Sequence, residues 1–189
     1  MRPARPIAPP DDASLHQAAL AYLARYAATE AGLRRVLDRR VDRWARTLEP
    51  DEAGLAREAA RAAVRSVVAR LVAVGAVDNA AFAATRAQRL MRAGRSRRAV
   101  AAHLAAKGVD TETARAALAG DDESELAAAV ALASRRRVGP FRTASVDEAG
   151  IRRELAMLAR AGFPRDVAVR ALHMEQGEAD AILRRLRQG

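Results

Sequence analysis

The chain has no cysteine, which excludes disulfides, thiolate metal sites and a cysteine nucleophile and points to a reducing, cytoplasmic setting. Aromatic residues make up only 3% of it. Sheets lean on aromatic and β-branched side chains, so a core of Ala, Leu and Val favours closely packed helices, an all-α fold. Glycine and proline are sparse and fall between periodic segments, as punctuation between helices does. No uncharged apolar run approaches the ~20 residues of a membrane span. The opening MRPARPIAPPDD lacks the apolar core of a secretory signal and reads as a loose Pro-rich arm over residues 1–13.

Catalytic patterns are missing as well. His16, His103 and His173 are far apart, and none sits in a carboxylate pattern typical of a metal or catalytic site. Lys107-Gly108 has no preceding glycine loop, so it is not a phosphate-binding loop. No Gly-x-Ser-x-Gly elbow occurs. The acidic run Asp121-Asp122-Glu123 suits the positive end of a helix, and without a ligand cage it makes no metal site. No enzyme, cofactor or metal is expected.

What is present is arginine and a repeated frame. The net charge is +10 over 189 residues, and Lys107 is the only lysine. The excess over acids points to a polyanion or an acidic protein groove as partner. The stretch HLAAKGVDTETARAAL (103–118) recurs as MLARAGFPRDVAVRAL (157–172), sharing Leu-x3-Gly-x9-Leu: Leu104, Gly108, Leu118 and Leu158, Gly162, Leu172. Leu71-x3-Gly75 is a weaker copy. A glycine in the left-handed conformation closes a helix cheaply, and the apolar residue after it, Val109 or Phe163, folds back.

Helix starts are expected at Ser14 with Gln17 and at Ser145 with Glu148 as capping boxes, at Thr29, Asp78 and Thr111 as caps, and at Pro164 as a first helical residue. Leu33, Leu37, Val41, Trp44 and Leu48 keep one apolar face, and a long helix follows Pro50. The resulting units are 14–78, 79–120 and 121–189, the last closing with a helix near 178–187. Three helix-turn-helix-rich units of this size should pack end to end into an elongated, curved molecule.

Each unit carries arginines. On a wheel of about 100° per residue, Arg35, Arg39, Arg43 and Arg46 share one stripe opposite the apolar face. The bland alternative is a solvated face, with Arg46 reaching Asp42 and Arg34 paired with Asp38. The second unit gathers Arg86, Arg89, Arg92, Arg95, Arg97 and Arg98 around the turn Gly94-Arg95-Ser96. The third has Arg135-Arg136-Arg137-Val138-Gly139-Pro140-Phe141-Arg142. A long polymer is a natural partner for such a series.

Asp78-Asn79-Ala80-Ala81-Phe82-Ala83, Gly94-Arg95-Ser96-Arg97-Arg98-Ala99-Val100 and Leu104-Ala105-Ala106-Lys107-Gly108-Val109 together resemble the middle of the RecX family of recombinase regulators. Gly139-Pro140-Phe141-Arg142 and Gly162-Phe163-Pro164-Arg165 resemble its third unit, and Thr29 with Leu33-Arg34-Arg35 its first. The resemblance spans about 14–186 and implies tandem three-helix repeats. It also implies binding in the groove of the RecA filament on single-stranded DNA, with inhibition of strand exchange, ATP turnover and coprotease activity. The first unit departs from the family pattern by running on through Trp44 into an extra segment near 45–62. Arg86 stands where many relatives carry an aromatic.

Two other readings remain open. One is a basic helix-turn-helix-like DNA-binding protein, with single- or double-stranded DNA as partner. The other is an apolar helix-binding scaffold, whose binding would be insensitive to salt. A monomer is the expected state, and no membrane is involved.

Overall fold

The computed structural model describes residues 9–120 and 122–188. Most of the Pro-rich arm (residues 1–8) and Asp121 of the acidic run lie outside the described residues. Among the described residues the fold is all-α, with ten α-helices, one short 3-10 turn and no strand. The chain divides into two compact units. One comprises residues 9–82 with 107–109, the other 83–106 with 110–188.

In the first unit, α1 (Asp12–Leu23), α2 (Glu30–Ala45) and α3 (Pro50–Ala73) pack on one another, and α4 (Asn79–Arg92) begins. The periodic leucines and valines earn these helices their core. Leu15, Leu33, Leu37, Val41, Val64 and Val67 are fully or almost fully buried around Trp44, each worth about 1.5–3 kcal/mol of transfer from water. The extra segment near 45–62 is the end of α2, a short loop, and the first half of α3, whose Leu55 is exposed.

Helix ends follow the glycines, and helix starts correct the expected caps. Gly75, Gly108 and Gly162 have φ of 70°, 84° and 93°. At Gly75 and Gly162 the next residue donates to the expected leucine carbonyl, Ala76 to Leu71 and Phe163 to Leu158. Gly94 (φ 72°) closes α4 in the same way, with Arg95 donating to Leu90, so Leu90-x3-Gly94 is a copy of the frame that the sequence reading missed.

Thr29 caps α2 as expected, its hydroxyl accepting from the Gly32 N–H. Ser14 does not cap α1; Asp11 does, accepting from Ser14 N–H. Asp147 rather than Ser145 caps α8 (Glu148–Arg160), and Asp110 rather than Thr111 caps α6 (Thr111–Ala117). In each case the aspartate takes the extended backbone and the N–H three residues on is satisfied by its carboxylate. Pro164 holds the capping position of α9 (Arg165–His173), one residue earlier than expected.

The second unit continues α4 and adds α5 (Arg97–Ala106), α6, α7 (Asp122–Arg136), the 3-10 turn Gly139–Phe141, α8, α9 and α10 (Gln176–Gln188). Its core centres on α7, where Leu126, Ala129 and Val130 meet Leu158, Phe163, Ala171 and Leu172. Asp122 and Glu123 stand in the first turn of α7, as their charge suits. The last turn of α7 ends unusually. Arg137 takes the left-handed conformation (φ 54°) that glycine takes elsewhere in this chain, and Val138 donates to Ala133.

Candidate binding surfaces

The turn 107–109 is part of the first unit and organises the edge of its arginine stripe. The Thr29 hydroxyl donates to the Lys107 carbonyl at 2.7 Å, and Arg35 Nη2 donates to the same oxygen at 3.1 Å. Asn79 Oδ1 accepts from the Glu30 N–H at 2.9 Å. Gly108 is required twice over here, by its φ and because a Cβ would lie 2.4 Å from the Ala31 Cβ. The conspicuous Lys107-Gly108 pair therefore works through its backbone.

Along α2, Arg35, Arg39, Arg43 and Arg46 are all exposed on one face. Arg46 does not pair with the Asp42 carboxylate; its Nε donates to the Asp42 backbone carbonyl at 3.2 Å. The carboxylate is taken from α3 instead, by Arg61 at 2.9 Å and Arg57 at 3.7 Å. Arg34 and Asp38 form no ion pair. Burial raises the Asp38 pKa, with the charges of Arg61 and Arg34 opposing. Arg39 and Arg43 are left with no acid within ion-pairing distance among the described residues, so the stripe holds two uncompensated charges flanked by two that brace the backbone.

In the second unit the arginines singled out by sequence separate into two kinds. Arg97 is half-buried and structural. Its N–H donates to both oxygens of Glu125 at 3.0 and 3.2 Å, its guanidinium donates to the Gly120 carbonyl at 2.9 Å, and Asp122 lies 3.6 Å away. Burial pushes the Glu125 pKa up, opposed by the Arg97 N–H and charge.

Arg142 is likewise structural. Its Nε donates to Glu154 at 2.9 Å, while Glu154 also accepts from the Gly139 N–H at 3.2 Å. The hydrogen bond from Arg142 is the main cause of the lowered Glu154 pKa. This clamp fixes Gly139, where a Cβ would meet the Leu172 backbone at 2.9 Å. Arg86 is half-buried with its Nε 3.1 Å from His103 Nε2, not a plain surface charge.

The remaining arginines, Arg89, Arg92, Arg95, Arg98, Arg135, Arg136 and Arg137, are exposed. Arg95, Arg135 and Arg136 come together around one open cavity of about 600 Å³, and Arg160, at the end of α8, joins them. Sequence reading missed Arg160. Its only signal is its place two residues before the cap Gly162. Arg89 and Arg98 do not line this cavity. Among the described residues no cluster of three or more His, Asp or Glu could hold a metal, and no helix is long and apolar enough to cross a membrane.

Residues 78–118 match the family described as RecX, second three-helix domain. The chain is 42% identical over 161 residues to the regulatory protein RecX of Myxococcus xanthus, covering 84% of this chain and 83% of that one. The regulatory protein RecX of Agrobacterium fabrum is 36% identical over 110 residues, 58% and 59% of the two chains. The crystal structure of RecX from Lactobacillus salivarius shares the fold, with a TM-score of 0.62 at 18% identity over 95% of this chain and 98% of that one. With its glycine-capped helices, its three-helix middle and an identity that runs over most of both chains, this protein belongs to the RecX family.

Proposed function

We propose that this protein binds the RecA filament on single-stranded DNA and restrains its recombinase, ATPase and coprotease activities during DNA repair and the SOS response. It acts by occupancy, as a cytoplasmic monomer and without catalysis of its own. The observation that carries this reading, beside family membership, is the set of exposed arginines left without acidic partners, Arg39 and Arg43 in one unit and Arg89, Arg95 and Arg98 in the other. A chain that neutralises its structural arginines with Glu125, Glu154 and Asp42 yet leaves these uncompensated keeps positive charge for an outside partner. An acidic groove or a phosphate backbone would supply the countercharge.

The three-unit division 14–78, 79–120 and 121–189 remains part of this proposal, each unit offering its own arginines to a repeating partner. The test is RecA-dependent ATP hydrolysis on single-stranded DNA, titrated with the protein. Turnover should fall at ratios up to one protein per RecA. Unchanged turnover together with tight binding to bare DNA would instead establish the helix-turn-helix-like DNA-binding reading.

A further inference from the structure

Arg95, Arg135, Arg136 and Arg160 surround an open cavity whose other walls are Gly94, Ala99, Leu132 and Ala161. None of these lining residues is acidic. The four guanidinium groups make no hydrogen bond or ion pair with another described residue. Other arginines of the same unit, Arg97, Arg142, Arg152 and Arg170, are paired with acids. Arginines near helix ends often serve to satisfy the last carbonyls, and all four lie at the ends of α7 and α8 or just after α4. They make no such bonds, so capping does not explain them.

The walls are fixed. The buried Ser96 hydroxyl donates to the Ala161 carbonyl at 2.7 Å and accepts from the Ala99 N–H at 3.2 Å, tying the start of α5 to the end of α8. A Cβ on Gly162 would lie 2.7 Å from that hydroxyl. A Cβ on Gly94 would lie 2.8 Å from the Leu132 nitrogen and 2.9 Å from Arg135 Nη2. Bare glycine at position 94 thus lets the Arg135 guanidinium lie across the turn at the mouth of the cavity.

From this geometry we infer that the cavity is a binding site for clustered phosphate groups, a compact oligophosphate. Four planar, permanently charged forks around one space match the oxygens of adjacent phosphates better than a single carboxylate. The cavity has the size of a small-molecule site. It offers no aromatic face and no amide side chain to read a base, so recognition rests on the phosphates alone. This inference goes beyond the RecA reading and does not depend on it.

The test is calorimetric titration of the full-length protein with three probes at physiological salt: inorganic triphosphate, ATP, and a short oligothymidylate. Arg135→Gln and Arg160→Gln are compared with Arg40→Gln and Arg187→Gln, which remove the same charge from exposed positions that line neither the cavity nor the proposed binding surfaces. Triphosphate and ATP should bind alike, and each cavity substitution should weaken them at least about tenfold, the controls by no more than about twofold. Binding of the oligothymidylate alone, lost only in the cavity variants, would keep the site and identify backbone phosphates as its source. Equal losses in cavity and control variants, or no binding of any probe, would overturn the assignment. Because all four arginines lack internal partners, their replacement leaves the fold in place, and an unchanged circular dichroism melt checks this.

Discussion

Replacing Gly108 by alanine should destabilise the first unit far more than replacing Gly75 by alanine. Both glycines have similar φ, 84° and 70°, so both variants incur left-handed strain of about 1–2 kcal/mol. Both also gain similarly from a stiffer unfolded chain, and these terms cancel in the comparison. The surroundings differ. At Gly75 nothing lies within 4 Å of a new Cβ, whereas at Gly108 the Ala31 Cβ would be 2.4 Å away. Relieving that overlap needs a shift of roughly 1 Å, with overpacking of about 1–3 kcal/mol. It also pulls the Lys107 carbonyl from the buried Thr29 hydroxyl, at about 1 kcal/mol or more.

The expected excess for Gly108→Ala is therefore about 2–4 kcal/mol. Trp44, the only tryptophan, sits in the core of this unit, so its fluorescence during urea unfolding reports the right transition. With a slope of about 2 kcal/mol per molar, the midpoint should fall about 1–2 M further for Gly108→Ala than for Gly75→Ala. Adding Ala31→Gly should recover most of the packing part. Equal midpoints for the two alanine variants would refute the close approach of the 107–109 turn to α2.

Four further outcomes are expected. Glu reversal of Arg89, Arg92, Arg95 and Arg98 should abolish filament binding with helix content intact, and reversal of Arg35, Arg39, Arg43 and Arg46 should weaken it less; pulldown of RecA filaments checks the ranking, and the opposite order would move the main contact to α2. Filament binding should weaken steeply with salt, since exposed charges are screened over about 8 Å at physiological ionic strength, and a flat response would favour the apolar scaffold. Arg137→Gly should raise stability by about 0.5–1 kcal/mol, because it removes left-handed strain but adds unfolded-state freedom, and a lowered melting temperature would count against that strain.

Glu154→Gln should cost about 2–3 kcal/mol at neutral pH, below a fully buried pair because Arg142 keeps about a quarter of its side chain exposed. The Glu154 pKa is depressed in the folded state. Its contribution is therefore present above the ordinary glutamate pKa and lost as pH falls through the folded value. The variant should show a flatter acid limb in pH-dependent melts. Glu125, raised by burial, works the other way. Its relative stabilisation is present at acid pH and lost as pH rises through its folded pKa.

The helix ends were the most legible part of the fold, because a glycine at φ near 80° followed by an apolar residue has few other uses. Helix starts were readable only to within a few residues. Where aspartate and serine or threonine stand close together, as at Asp11 and Ser14 or Asp110 and Thr111, either can cap, and only the backbone angles choose between them. The candidate surfaces were legible as charge but not as roles. Arg97, Arg142 and Arg35 look like Arg98, Arg136 and Arg39 in the sequence. What separates them is a partner 12 to 72 residues away, and pairwise distance over such separations leaves no periodic trace. Arg160 was missed for the same reason, since only folding brings it beside Arg95.

The hydrogen bond from Thr29 to Lys107 joins residues 78 positions apart, and this has a consequence for the order of events during synthesis. The first unit is discontinuous in the chain, and its last piece, residues 107–109, follows 83–106 of the other unit. A nascent chain that has emerged only to residue 82 has made α1, α2 and α3 but has no acceptor for the Thr29 hydroxyl and no wall over Ala31. At about 5–20 residues per second, the ribosome takes roughly 1–5 s more to deliver that turn. During this interval the N-terminal helices hold an unfinished edge, exposed to chaperones and proteases. Its closure waits on the backbone of a residue made long after the helices it seals.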